Sequence, residues 1–428
     1  MQGEDVVATS QSSGQSSGQT SGHRSGAYQT MLVGLLSLNF GILFFDRNAL
    51  NFLMPFVQPD LDLSNTQVGM LASALSFTWA VSAFLVGRYS DRTGRRKSVI
   101  LAATLAFSLC SVVSGIASTF LMLFGARMLM GFAEGGVLPI SQSLIAVEVK
   151  PEHRGLAMGV TQNLGSNLLG SAVAPILLVA IAAASGWRHA FYFAALPGLI
   201  SAGLLWLLVK EPPAVPAAQK GPRMSMGEAF AERNIVLCCI IAVLLVSYLV
   251  VCWAFMPLFL TSVRRFTPEV MGWLMATLGI SAGIGSIVVP AISDRIGRKP
   301  VMIAVPLIGA ILPLGAMFYA GSVWVLAAIF FFGWALNGVF PMFMATIPSE
   351  TVDIRHTATV LGLVIGTGEI LGGVASPFVA GAMADMFGLS APLWIMLGLC
   401  LIAGVLALGL RETAPRVVAR RSVLDAAL

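Results

Sequence analysis

The sequence predicts an all-α membrane protein of twelve transmembrane helices, built as two parallel six-helix repeats. Three observations predict it. Hydrophobic residues make up 57% of the 428 and charged residues only 11%, about half the charge of a soluble domain. Apolar runs of about 20 residues, the length a helix needs to cross a bilayer, follow one another from Met31 onward. The string GRYSDRTGRRK at 87–97 returns as PAISDRIGRKP at 290–300, 203 residues later.

In chain order, residues 1–28 are rich in Ser, Gly and Gln and have little to bury, which predicts a disordered tail. They lack the short basic start and apolar core of a signal peptide. Spans are expected near 31–56, 67–87, 98–117, 120–144, 155–182, 189–209, 235–261, 269–291, 300–320, 323–346, 357–384 and 390–410. This sets a first bundle at 29–209, a linker at 210–233, a second bundle at 234–411 and a tail at 412–428. The linker, KEPPAVPAAQKGPRMSMGEAFAER, has the Pro-, Ala- and charge-containing composition of a connector. A short surface helix is expected over 226–233. Prolines inside spans (Pro55, Pro139, Pro175, Pro257, Pro341, Pro377) predict kinks.

Lys and Arg crowd the loops at 88–97, 295–299 and 411–421 and the linker, whereas the opposite loops carry only Arg188, Arg264 and Arg265. The positive-inside rule then places both termini in the cytoplasm, with a bacterial inner membrane as the expected location. The repeat runs through several segments in one register. Ser90, Asp91, Arg92, Gly94 and Arg95 recur as Ser293, Asp294, Arg295, Gly297 and Arg298. Gly159, Gly165 and Gly170 recur as Gly362, Gly368 and Gly373, Gly135 as Gly338, and Glu134 as Asn337. Six spans per unit is even, so both units face the same way, and parallel repeats of this kind hold a site at their interface near the midplane.

Several functions are disfavoured. The net charge of +5 comes from short loops, not from one basic face, so no nucleic acid partner is expected. The five cysteines lie in apolar segments with no CxxC or Cys/His spacing, so neither a metal nor a disulfide framework is expected. No cofactor is implied. No Ser/His/Asp set and no GxxxxGK[ST] string is present, which argues against an enzyme and against ATP as the driver.

Four charges sit where charge is costly. Arg127 and Glu134 lie in RMLMGFAE, and Asp46 with Arg47 in FFDRNALN. A charge at bilayer depth is rarely found without a partner and a function. Seven residues on a helix give about 700° of turn and roughly 10.5 Å of rise, so Arg127 and Glu134 share a face without touching. Adjacent Asp46 and Arg47 diverge by about 100°. The economical cross-pairing is Asp46 with Arg127 and Arg47 with Glu134. A carboxylate entering at Arg47 then displaces Glu134, which takes up a proton, so anion and proton move together. The competing reading is a set of ion pairs that only fixes helix packing.

Other polar groups at depth are Asn51, Gln142, Gln162, Asn163, Asn167 and Asn337, suited either to a hydroxylated ligand or to bonds between helices. Gln162 and Asn163 are the preferred pair among them. Phe44, Trp79, Tyr248 and Trp253 line a cavity or pack in the core. Glu369, in GTGEILGG, is a further ionisable group, suited to a second proton, to a ligand hydroxyl or amine, or to permanent protonation. The doubled loop reads as a cytoplasmic gate, carried by Gly87, Asp91, Arg92, Gly94 and Arg95 and again by Asp294, Arg295, Gly297 and Arg298. An acid at a helix end pairs there with a neighbouring cation or helix amino terminus and releases it when that side opens.

Together with the twelve spans, the doubled loop resembles that of the major facilitator superfamily. Within it, FDRNALN at 45–51, RMLMGFAEGG at 127–136 and PEHRGLAMG at 151–159 resemble the anion:cation symporter family, over residues 31–410. The resemblance implies a monomeric secondary transporter that imports a small organic acid anion with protons: a sugar acid, an aromatic acid or a dicarboxylate. It implies that Arg47 holds the substrate carboxylate, that Asp46 and Glu134 carry protons, and that Arg127 balances Asp46. Asparagine is the commoner residue at the position of Glu369 in that family, so this chain departs there. The alternative on the same scaffold is a proton-driven exporter of drugs or metabolites. Residues 159–175 contain Pro175 but lack the clustered Gly-Pro motif such exporters resemble one another in.

Overall fold

The computed structural model describes residues 25–212, 228, 231–353 and 356–419, without the side chains of Asp91, Pro151 and Ala358. Among the described residues eleven helices are long and apolar enough to cross a membrane: α1 (Gly26–Asp60), α2 (Asn65–Ser90), α3 (Arg96–Gly115), α4 (Phe120–Glu148), α5 (Glu152–Ser185), α6 (Trp187–Leu208), α7 (Arg233–Val263), α8 (Pro268–Ile296), α9 (Arg298–Phe318), α10 (Val323–Thr351) and α11 (Thr359–Phe387). A shorter apolar helix, α12 (Ala391–Ala407), completes the twelve.

Local chemistry sets the ends. Ser64 and Gln67 form a capping box at the start of α2, with Ser64 Oγ accepting from Gln67 N at 3.1 Å and Gln67 Oε1 from Ser64 N at 2.9 Å. Thr119 and Thr267 cap α4 and α8 through their hydroxyls alone, accepting from Met122 N at 3.3 Å and Val270 N at 3.4 Å. Gly94 (φ +68°) and Gly297 (φ +113°) end α2 and α8 with backbone that side chains rarely adopt, which is why glycine recurs at that point of the doubled loop.

Boundaries differ from expectation in places. α1 starts at Gly26, inside the stretch expected to be a tail, because Ser25 caps it and Leu32, Leu35 and Leu36 are buried. Residues 1–24 of that tail lie outside the described residues, as do 213–227 and 229–230 of the linker, with half of the helix expected over 226–233, and 420–428 of the second tail. Arg233, expected in the linker, is the first residue of α7. In the tail expected from 412, residues 415–419 form a helical turn.

The packing repeats. α1 packs on α5 and α6, α2 on α4 and α3 on α6; six helices on, α7 packs on α11 and α12, α8 on α10 and α9 on α12. Ser82 Oγ donates to the carbonyl of Phe132 between α2 and α4, and Ser281 Oγ to that of Phe331 at 2.5 Å between α8 and α10. The acid that follows the sixth helix of each half caps the third. Glu211 accepts from the N–H of Lys97 (2.9 Å) and Ser98 (3.4 Å), and Glu412 from those of Arg298 (2.7 Å) and Lys299 (3.1 Å).

The helical ladder breaks at matching places too. α5 is π-helical over Ser166–Val173 and α11 over Gly368–Ala375. Pro175 and Pro377 follow directly, each removing an i→i−4 bond so that the ladder upstream slips to the wider turn. Glycines let α5 sit on α1 at backbone contact: a Cβ on Gly165 would strike the carbonyl of Ser37, and one on Gly170 would strike Phe44. In a bilayer such close fits, not the hydrophobic effect, hold helices together.

The halves meet along α2–α11, α5–α8 and α1–α7. A Cβ on Gly69 would strike the carbonyl of Pro377, and one on Gly279 would meet the backbone of Ser171 and Ala172. The Phe52 and Trp253 rings stack edge-on at 5.7 Å. These contacts lie toward the end opposite the termini. Toward the termini, Gly155 and Gly159 of α5 and Gly362 and Gly366 of α11 have no atom within 4 Å of a built Cβ. A groove of about 450 Å³ runs there along α11, lined by Thr359, Gly362, Gly366 and Thr367 among others.

Candidate functional site

Asp46 and Arg47 sit side by side in the middle of α1 and face different surroundings. Asp46 is wholly buried among α1, α3 and α6. Its Oδ1 accepts from Ser111 Oγ at 2.5 Å, and Ser111 also donates to the Phe191 carbonyl at 3.3 Å. Arg47 turns the other way. Its guanidinium lies 3.7 Å from a carboxylate oxygen of Glu134 on α4, with side-chain exposures of 16% for the arginine and 0% for the glutamate. The Phe44 and Trp79 rings flank the cation at 5.6 and 5.3 Å, within range of cation–π attraction.

The pairing of Asp46 with Arg127 is corrected. Arg127 is buried, but its Nη2 donates to the backbone carbonyl of Arg47 at 2.8 Å and its Nη1 lies 3.2 Å from Met130 Sδ. The two form no salt bridge among the described residues. The physical reason is competition: Ser111 already supplies a short hydrogen bond to Asp46, while the mid-helix carbonyl of Arg47 lies within reach of a long guanidinium. The cluster is under-satisfied. Oδ2 of Asp46, Nε of Arg127 and both carboxylate oxygens of Glu134 are buried without a hydrogen-bond partner among the described residues. Groups in that state need a partner beyond these side chains, such as a water or a ligand.

The other expected residues scatter. Asn51 is half-buried one turn beyond Arg47. Gln162 bonds Gln142 at 3.4 Å, and Asn163 bonds the carbonyl of Gly159 at 3.2 Å, both on or beside the π-helical stretch Val160–Leu164. Gln142 lies eight residues past Glu134, roughly 12 Å along α4, so these amides are not beside Arg47. Asn337 is on a 3-10 turn of α10, in a narrow crevice with Tyr248, Trp334 and Phe340. Tyr248 and Trp253 are core: both are buried, with the Tyr248 hydroxyl donating to Gly309 O at 2.9 Å. Glu369 is half-buried on the π-helical stretch of α11, beside Gly373 and Ser76, and close enough to Arg47 for their charges to interact.

Two amide groups escaped the sequence reading. Asn48 donates to the carbonyl of Gly170 at 3.0 Å, tying α1 to the π-helical stretch of α5 one turn from Phe44. Asn39 gathers Thr104 and Ser201 at 3.2 and 2.8 Å. Asn48 lies in the quoted FDRNALN motif, so its position carried a usable signal.

The doubled loop is built differently in the two halves. Arg298 pairs with Asp294 at 2.5 Å and with Glu350 at 2.9 Å, and donates to Ser293 Oγ at 2.6 Å. In the first half the residue at the matching helix start is Arg96, which is buried, whereas Arg95 is exposed. The register that equated Arg95 with Arg298 therefore shifts by one residue in space. Gly87 lies near Pro139, and Arg92 and Arg295 are exposed. The side chain of Asp91 lies outside the described residues. Among the described residues no three His, Cys, Asp or Glu side chains are grouped to hold a metal ion.

The model of the Major Facilitator Superfamily matches residues 36–267 and 236–425. A protein of Cupriavidus pinatubonensis named a probable 4-methylmuconolactone transporter is 28% identical over 357 residues, covering 81% of this chain and 82% of its own. The hexuronate transporter of Bacillus subtilis is 31% identical over 255 residues, 56% of this chain and 60% of that one. Among solved structures, a bacterial homologue of the human lysosomal transporter Spinster, in an inward-facing and occupied conformation, superposes with a TM-score of 0.78. It is 20% identical and covers 90% of this chain and 97% of its own.

Proposed function

Because this chain belongs to the Major Facilitator Superfamily and is an integral multi-pass membrane transporter, we propose that it imports a small organic acid anion together with protons by alternating access. The observation that carries the proposal is the bridge between Arg47 and Glu134: a partly exposed cation, flanked by two aromatic rings, whose counter-charge is a buried carboxylate. The names of both sequence relatives, transporters of a lactone acid and of hexuronates, favour an organic acid as cargo.

The mechanism follows from charge balance. An incoming carboxylate takes the Arg47 guanidinium in charge-assisted hydrogen bonds. Glu134, deprived of its counter-charge at this depth, takes up a proton, because an unpaired buried charge costs several kcal/mol. Asp46 is the second proton carrier, held by Ser111. Arg127 fixes the backbone at Arg47 and offsets the two acids through space. Trp79 and Phe44 pack against the apolar body of the substrate. Asn51, Gln162 and Asn163 on the first half, with Asn337 and Glu369 on the second, take its polar groups during entry and closure. The doubled loop gates the side that carries the termini; the excess of Lys and Arg there supports a cytoplasmic face, in a bacterial inner membrane. The protein acts as a monomer.

A thermal-shift screen of organic acids on purified protein, followed by uptake into proteoliposomes with an imposed pH gradient, tests this. Small carboxylic acids should raise the melting temperature of the wild type, as any ligand of the native state does, but not that of Arg47→Ala. An inside-alkaline gradient should drive their accumulation. Stabilisation by hydrophobic cations and none by carboxylates would overturn the reading in favour of an exporter.

A further inference from the structure

One carboxylate joins the two halves at the end opposite the termini. Asp385, near the end of α11, accepts from the N–H of Asn65 at 2.9 Å, the N–H of Thr66 at 2.8 Å and Thr66 Oγ1 at 2.5 Å. Asn65 and Thr66 are the first two residues of α2. A helix start leaves four N–H groups without partners inside the helix. The capping box serves two of them, Ser64 Oγ accepting from the Gln67 N–H and Gln67 Oε1 from the Ser64 N–H. The remaining two, on Asn65 and Thr66, are served by Asp385. The cap of α2 is thus completed by the other half of the protein, and the negative charge sits where the helix dipole favours it.

The surrounding seam is tight. A Cβ on Gly381 would strike the carbonyl of Asn65, and one on Gly69 the carbonyl of Pro377. The seam related by the repeat, α5 with α8, has glycines in contact as well, since Gly272 approaches the carbonyl of Pro175. It has no such acid. At the repeat offset the counterpart of Asp385 is Ala182. Nor does α8 need one: it opens on Pro268, which has no N–H, and Thr267 caps it from within. The acid therefore has no counterpart at the repeat offset. It sits at one seam, where the start of α2 meets the other half.

We propose that Asp385 is the latch that holds this end of the carrier shut, and that its release from the α2 amino terminus is the step that opens the substrate site to that face. Parting the halves there strips two backbone N–H groups and a hydroxyl of their acceptor at once. The three bonds give the closed arrangement an all-or-none character that the glycine contacts alone would not.

Pulsed electron spin distance measurement on the full chain tests the latch. Spin labels at Ser185→Cys and Ser390→Cys report the gap between the halves at this end; the native cysteines are all buried. Asp385→Asn keeps the size but weakens the charge-assisted bonds. It should raise the population at the longer distance by about tenfold or more. Thr66→Val removes the hydroxyl donor alone, should shift it in the same direction by less, and decides the question if Asp385→Asn does not fold. Distance distributions matching the unsubstituted pair in both variants would overturn the proposal, whatever the cargo proves to be.

Discussion

Arg127 holds the backbone carbonyl of Arg47 at 2.8 Å and leaves the neighbouring acid, Asp46, to a serine. A guanidinium that grips a mid-helix carbonyl does two things. It fixes the rotation of α1, and so the direction in which the Arg47 side chain leaves it. It also places a positive charge between two buried acids without neutralising either by contact. Lysine can supply the charge but not the planar fork. Arg127→Lys is therefore expected to fold and to lose at least about tenfold in transport rate, while Arg127→Ala, which leaves two buried acids facing one cation, should lose about 3–5 kcal/mol of stability. Proteoliposome uptake and thermal unfolding measured side by side decide it. Wild-type uptake by Arg127→Lys would show that only the charge matters.

The bridge between Arg47 and Glu134 gives a second expectation. Glu134→Gln keeps the shape and removes the proton-binding group. Accumulation driven by a pH gradient should disappear, while exchange of internal for external substrate persists, because the cargo still meets Arg47. Counterflow and gradient-driven uptake of one labelled acid, run on the same vesicles, separate the two. Undiminished accumulation would assign the bridge to helix packing instead.

Asp46 leads to a third. Its single described hydrogen bond comes from Ser111, and its other oxygen is buried without one. Ser111→Ala removes the only donor and should destabilise the protein by about 1–3 kcal/mol. Replacing the acid as well, in Asp46→Asn with Ser111→Ala, should cost less than the sum of the single changes, since the two act as one unit. Additive losses would mean that Ser111 serves mainly the Phe191 carbonyl, which it also reaches.

The architecture was legible because a bilayer leaves the chain few options: apolar runs must be helices, and a duplicated loop 203 residues apart must be a repeated unit. The charged centre was legible for the same reason, since Arg47 and Glu134 stand out against an apolar background and their faces follow from helical spacing. What spacing does not carry is the identity of the neighbour across a helix gap. Ser111 is one serine among many, and backbone carbonyls have no sequence signature, so Arg127 was given to Asp46. The offset between Arg95 and Arg298 also misled. It is correct for the letters, but Gly94 and Gly297 turn the chain through different φ angles, and the buried arginine at the helix start moves to Arg96.

That difference between the loops is itself testable. Arg298 reaches Glu350 and Asp294 from the start of α9, and Thr413 donates to Glu350 at 2.6 Å. Arg95 is exposed. Glu350→Gln should therefore lower thermal stability by about 1–3 kcal/mol, with Arg95→Ala within about 0.5 kcal/mol of the wild type. Equal effects of the two would mean that the loops are functionally alike after all.

The glycines of α5 give the last expectation, and it separates packing from motion. At Gly165 a Cβ would strike the Ser37 carbonyl on α1, and the backbone of one helix cannot yield to the other without shifting the Arg47 turn ten residues along. At Gly159, two turns nearer the termini, nothing lies within 4 Å. Gly165→Ala is expected to destabilise by about 1–3 kcal/mol through overpacking. Gly159→Ala should be neutral or slightly stabilising in the unfolding experiment, because alanine restricts the unfolded chain. If the termini side must close on α5 during the cycle, Gly159 then meets a neighbour it lacks in this state, and Gly159→Ala should slow turnover while leaving stability intact. Uptake rate and melting temperature on the same preparation distinguish these outcomes. A variant that is both stable and fully active would show that this face of α5 stays clear throughout the cycle.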